Sequence, residues 1–339
     1  MGKIKKLVAL SLVAMASMSF AGCKMIQKTP EAVQKETLAK VGDKKITRQD
    51  LTDAMKYYYN LYEQQYGSDY KNNEQVKAQL LSQEKQMLQS LVDTEVIVQE
   101  AEKNNWVEPE DKLNKEVDEQ FKEMKSAYKT DEEFKNAYEQ SGLKDEAAVK
   151  KMLRENIIVK STLDNHIYKD VKVSDDAIKK YYDENKNTFK VDKAGATVYN
   201  IVISGDNAKE TAEKVRQEII DKKTTFEKMA AKYNTDMTKS TGGSLGYVAY
   251  DSTEYLPEFM DAVKKLNNGE ISEPVKTKYG YHLIKVETVM KKPGIMPFDY
   301  VKDDIKDTLL STEEQKAYTD TINKWKDELK VKVYEDKLQ

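Results

Sequence analysis

Helical periodicity runs through this sequence from residue 48 to about residue 190, stops, and returns only after Pro293 and Pro297. A chain patterned this way cannot fold as one continuous helical array. In the first stretch Val76, Leu80, Met87, Leu91 and Val98 recur at helical spacing in a polar background, which predicts a half-buried helix. "WVEPED" (106–111) interrupts the pattern and puts Pro109 at the start of the next helix. Further helices are expected over 110–140 and 145–169, and Ser174 caps the start of "VSDDAIKKYYDENKNTF". Between residues 191 and 294 lie eight of the 13 glycines, set among alternating apolar runs. There "ATVYNIVI" (196–203) reads as a strand, two helices and a glycine-rich turn follow, and "YHLIKVETV" (281–289) is the last strand. The order is β-α-α-β-α-β-β. Beyond it Val301, Ile305, Leu309, Tyr318, Ile322, Trp325 and Leu329 mark one long amphipathic helix, followed by "VKVYE".

A lone helix with an apolar stripe needs a partner, and the N-terminal helical region is the natural one, with "VKVYE" pairing near residues 38–46. The expected fold class is therefore α+β. A mostly helical, discontinuous domain (23–190 with 293–339) carries an inserted α/β domain (191–292). "GDKKITRQD" supplies a turn at Gly42-Asp43 and a helix cap of the Thr47/Asp50 type. Tyr58, Tyr62 and Tyr66 share one face of the helix that follows, suited either to loose capture of unfolded chains or to packing on the C-terminal helix.

The N-terminus reads as an export address: Lys3, Lys5 and Lys6 precede an apolar run too short to span a membrane well. Residues 1–22 are thus expected to be cleaved as a signal. "SFAGC" ends the run and resembles a bacterial lipobox, with Phe20 where leucine is usual. That resemblance makes Cys23, the one cysteine, a lipidation site anchoring the chain to the outer face of the cell membrane. Two or more acyl chains, palmitate among them, anchor stably where one is marginal. With Cys23 modified, no disulfide is available. Acidic and basic residues are interleaved at a formal net charge of −3, so no basic patch points to nucleic acid. Two histidines 116 positions apart give no metal-ligand spacing.

"TGGSLGYV" (241–248) and "LPEFMDAVKKLNNGEISEPVKTKYGYHLIKV" (256–286), with the strand-helix-helix pattern before them, closely resemble parvulin-type peptidyl-prolyl isomerases. "VGDKKITRQDL" and "VSDDAIKKYYDENKNTF" are similar to segments of PrsA-type foldase lipoproteins with SurA-like N-terminal regions. The resemblance implies a parvulin-like domain and assigns its site. His282 takes the strand histidine, Thr277 the hydroxyl that bonds the histidine pair, and Asp236 the residue facing the substrate carbonyl. Leu245, Tyr255 and Phe259 fall on the proline cup, Tyr255 where methionine is usual. Asn200 replaces the first-strand histidine; its amide can bond a neutral imidazole but cannot hold a proton. Ser244 replaces the usual acidic residue before Leu245. A strand histidine without this context is ordinarily structural, and His166 has no such context.

The function so implied is a membrane-anchored foldase that assists newly secreted, unfolded polypeptides and isomerises their X-Pro bonds. No cofactor is implied, and a homodimer is left open. The alternative is a chaperone whose parvulin-like domain binds clients with weak or no catalysis, as Asn200 and Tyr255 favour. A solute-binding lipoprotein would need two α/β lobes; only one is legible.

Overall fold

The computed structural model describes residues 29–338. They form two compact units: the described residues up to Thr162 together with those from Ile322, and Leu163–Thr321. The chain is mostly helical, with a sheet-containing domain inserted between its N-terminal helices and its C-terminal helix.

The first unit begins with α1 (Pro30–Gln34) and the hairpin β1 (Thr37–Val41) and β2 (Lys44–Thr47). Gly42 turns the hairpin at φ +55°, a left-handed conformation glycine adopts without strain. Thr47 starts α2 (Arg48–Tyr66) with a reciprocal capping box to Asp50. Then come α3 (Glu74–Lys103), α4 (Glu110–Ser126), α5 (Asp131–Gln140) and α6 (Glu146–Thr162). The helix expected over 110–140 is thus two, because the Thr130 side chain accepts from Glu133 N and restarts the helix there. The segment expected over 145–169 ends its α-helix at Thr162 and finishes in a π-helical turn, Leu163–Ile167.

Helix α3 buries Val76, Leu80, Leu88, Val92, Val96 and Ile97, whereas Met87, Leu91 and Val98 are only half-buried. Steps of four residues overshoot a full turn by ~40°, so the apolar stripe winds around so long a helix. A straight stripe read from the sequence misses that drift. Phe134 is the hub of the core here, its ring 5.7 Å from Phe121, 5.4 Å from Tyr128 and 5.3 Å from Tyr138. The tyrosines of α2 pack on themselves and on α3: Tyr62 stacks with Tyr66 and Tyr70, and Tyr59 donates to Glu84.

The second unit holds α7 (Asp175–Glu184), capped by Ser174, then β3 (Lys190–Val191), β4 (Gly195–Ile203), α8 (Ala208–Ile220) and α9 (Phe226–Tyr233). After these come β5 (Ser244–Ala249), α10 (Pro257–Lys265), β6 (Val275–Thr277), β7 (Gly280–Met290) and β8 (Gly294–Ile295). The four-stranded antiparallel sheet has the order β5-β4-β7-β6. Its central strands are covered on both faces. Ala196, Val198, Ile284 and Val286 pack under α10, while Ile201, Ile203 and Leu283 pack under α8 and α9.

Helix α11 (Phe298–Glu328) leads to β9 (Lys332–Val333). Within the first unit, β9 pairs with β1 through Ala39↔Val333, as expected for "VKVYE". There Trp325 lies 6.0 Å from Trp106, and Lys326 meets Asp93 at 2.6 Å in a largely buried ion pair.

Both tryptophans belong to the first unit, so intrinsic tryptophan fluorescence reports its unfolding. Phe134→Ala is expected to lower its stability by about 3–5 kcal/mol, as loss of a fully buried phenylalanine does. Urea titration followed by that fluorescence checks it; an unchanged midpoint refutes Phe134 as the hub.

Candidate functional site

The site is built from the register of the sheet. Alternate residues of a strand face alternate sides. In the pairing of β4 with β7, Val202 stands opposite His282 and Asn200 opposite Ile284. Asn200 and His282 are therefore diagonal neighbours on the face under α10. Val275 of β6 also stands opposite His282, so Thr277, two residues on, joins the same face. The turn into β7 depends on Gly280 at φ +135°, where an added Cβ would lie 2.4 Å from Ile203 O. No other residue fits there.

Thr277, His282 and Asn200 form one hydrogen-bonded row beneath the surface. Thr277 Oγ1 lies 2.8 Å from His282 Nε2, and His282 Nδ1 lies 2.8 Å from Asn200 Oδ1. Tyr279 N–H donates to Thr277 Oγ1 at 3.1 Å. Asn200 Oδ1 can only accept, so the ring proton sits on Nδ1 and Thr277 donates to the bare Nε2. All three side chains are buried, and His282 is 7% exposed. That burial pushes the imidazole below its usual pKa, with the Glu258 carboxylate acting weakly the other way. The ring is a neutral, oriented hydrogen-bond partner.

Over this row sits an apolar wall. The Phe259 ring meets His282 edge-on at 5.6 Å, and Tyr255 stacks on Phe259 at 5.6 Å. Leu245 packs against the same cluster. Burial, and then the Glu254 carboxylate, raise the Tyr255 hydroxyl above its usual pKa, so it is protonated near neutrality.

All seven of the sequence-derived pocket residues line one open cleft of about 460 Å³: Asn200, Asp236, Leu245, Tyr255, Phe259, Thr277 and His282. Cys23 lies outside the described residues. Glu254, Lys278 and Tyr279 also line the cleft and were not singled out from the sequence.

Asn234 was missed as well. It is 0% exposed, with Oδ1 accepting from Val202 N at 2.9 Å. Its Nδ2 donates to Asn200 O at 2.8 Å and to Thr238 Oγ1 at 2.9 Å. Thr238 in turn donates its backbone N–H and its hydroxyl to Asp236. Asn234 thereby ties the loop bearing Asp236 to the strand bearing Asn200. Gly243 completes the junction at φ +86°, where a Cβ would fall 2.5 Å from Asn200 O. The arrangement can enclose a small apolar ring against Phe259 and hold polar groups fixed beside the bond next to it.

The sequence matches known proteins along its whole length. Residues 203–288 match the PPIC-type PPIASE domain, and residues 2–163 match the SurA-like N-terminal domain. Foldase protein PrsA of Clostridium botulinum (strain Langeland / NCTC 10281 / Type F) is 35% identical over 341 residues, covering 100% of each chain. Foldase protein PrsA of Clostridium perfringens (strain 13 / Type A) is 34% identical over 342 residues, covering 100% of this chain and 98% of its own. The crystal structure of PrsA from Bacillus subtilis is 24% identical and covers 87% of this chain and 93% of its own, at a TM-score of 0.38. The chain belongs to the PrsA family of foldase proteins, with a parvulin-type peptidyl-prolyl isomerase domain and a SurA-like N-terminal domain.

Proposed function

We propose that this chain is a membrane-anchored extracytoplasmic foldase that receives newly secreted, unfolded polypeptides and catalyses cis/trans isomerisation of their X-Pro bonds. The observation that carries the reading is the convergence of an apolar wall, a neutral buried imidazole row and Asp236 in one cleft.

Rotation about a peptide bond faces a barrier of about 18–20 kcal/mol, because amide resonance gives the C–N bond double-bond character. X-Pro bonds cross it slowly enough to limit folding. No nucleophile is needed to lower the barrier. A proline ring held against Phe259, Leu245 and Tyr255 leaves water, and the dipolar planar amide loses more by that transfer than the twisted, less conjugated one. On this reading the Asp236 carboxylate faces the carbonyl oxygen, opposes build-up of negative charge there and so weakens the planar resonance form. Such groups act by favouring the twisted state over the ground state, which is what accelerates the step. The Thr277–His282–Asn200 row holds the floor of the cup without introducing a charge.

Asn200 and Tyr255 support a second reading, a client-binding domain with weak catalysis. Asn200 cannot change tautomer with His282, and Tyr255 stacked on Phe259 brings bulk and a hydroxyl into the cup. In either case a lipid on Cys23 would hold the foldase where exported chains emerge and raise its effective concentration.

Three measurements check these readings. In protease-coupled assays of Xaa-Pro peptides the full chain is expected to accelerate isomerisation, and Asp236→Ala to reduce kcat/KM on the order of 10- to 100-fold. No acceleration with any residue before proline would leave client holding as the function. The active imidazole is the neutral one and burial disfavours its protonation, so kcat/KM should persist as pH falls through about 6.5, the ordinary histidine value. The decline should set in only below that; a midpoint above about 6.5 contradicts the assignment. In a producing cell, Cys23→Ser should move the chain from the membrane fraction to the soluble one and abolish labelling by palmitate.

A further inference from the structure

The cleft that holds the proline wall continues past it. A second cleft of about 410 Å³ adjoins it, and the two share Leu245, Thr253, Glu254 and Tyr255 as a common wall. Its other side is formed by Tyr247, Val248 and Ala249 of β5, with Lys193 and Asp251. β5 ends the order β5-β4-β7-β6, so one edge of its backbone has no strand partner in that sheet. Unpaired strand edges offer donors and acceptors to an extended chain.

The cleft is a set surface. Lys193 Nζ meets Asp251 at 2.8 Å, and the Tyr247 hydroxyl donates to Lys193 O at 2.8 Å. Lys193 and Asp251 neutralise each other. Glu254, on the wall common to both clefts, pairs with no cation among the described residues and is exposed. It is the uncompensated charge at the crossing point.

We infer that a client chain bound by its proline in the first cleft runs on, extended, across the Leu245–Tyr255 wall into the second cleft beside β5. Glu254 then favours lysine or arginine at the client residue that crosses the wall. The inference rests on reading the first cleft as the X-Pro site, and continuity of the two clefts argues for one occupant rather than two. An opposite charge near an exposed carboxylate acts modestly and is screened by salt, which suits a helper that must release many different clients.

Fluorescence anisotropy with the full chain tests this independently of turnover. The probes are a labelled four-residue Xaa-Pro peptide and versions lengthened by four residues at either end, with lysine or glutamate next to the core. Lengthening at one end should tighten binding about fivefold or more, and more with lysine than with glutamate. Glu254→Lys should reverse that preference, and high salt should erase it. Asp251→Trp fills the second cleft from a position outside the first; it should cancel the gain while leaving the short peptide's Kd unchanged. Asp251→Ala, which widens the cleft, should keep the gain. Equal affinity for short and lengthened peptides, or a gain that survives Asp251→Trp, overturns the extended path alone. Failure of the short peptide to bind at all overturns the X-Pro reading of the first cleft and this inference with it.

Discussion

The antiparallel pairing of β4 with β7 is the constraint on which the second unit rests. Its unbroken register runs from Thr197↔Glu287 to Ile203↔Tyr281, after a shift from Gly195↔Met290, and it sorts side chains by parity. Within that register even positions of both strands go under α10, odd ones under α8 and α9; beyond it, past Thr288 at φ +48°, Val289 joins the α10 side. A slip of one residue would exchange the faces. Asn200 and His282 would then enter an apolar core with no partners, each at a cost of about 1–3 kcal/mol. Register, packing and the site are therefore set by the same ladder.

The polar groups at the site satisfy one another. Asn234, fully enclosed, makes bonds to Val202 N, Asn200 O and Thr238 Oγ1. Thr277, His282 and Asn200 are matched donor to acceptor along a single row. A fully satisfied buried network rigidifies what it joins, whereas a half-satisfied one is costly. An exposed loop can hold Asp236 in place only because Asn234 and Thr238 bind it to a strand that cannot move without breaking the sheet.

Much of this was legible in the sequence, for identifiable reasons. Glycine density and alternation marked the β-α-α-β-α-β-β order, and Ser174, Pro109 and the Thr47/Asp50 pair marked helix starts that the structure bears out. The pocket residues came from the family pattern, which converts spacing along the chain into places on one face. The apolar stripe of α3 is legible only in part, with Met87, Leu91 and Val98 half-buried, because spacing alone does not reveal which neighbour each turn meets. Asn234 carried no local signal, since two of its three bonds go to main-chain atoms of β4 about thirty positions away. Glu254 and Tyr279 were missed for the same reason: their place is set by loops whose path only the folded backbone defines.

The pairing of β9 with β1 has a consequence in time. Lys337 Nζ donates to Thr37 O, 300 positions earlier, and Arg48 donates to Lys337 O. The three-stranded sheet of the first unit therefore cannot be finished until residues 332–337 have been delivered. The second unit, by contrast, is contiguous in sequence. For a chain that emerges N-terminus first, long-range closure is the late event, because the entropy of joining distant segments must be overcome before their contacts form. The parvulin-like domain would then mature while the helical unit is still open at its clasp. A foldase of this design would itself pass through the half-made, exposed state from which it rescues its clients.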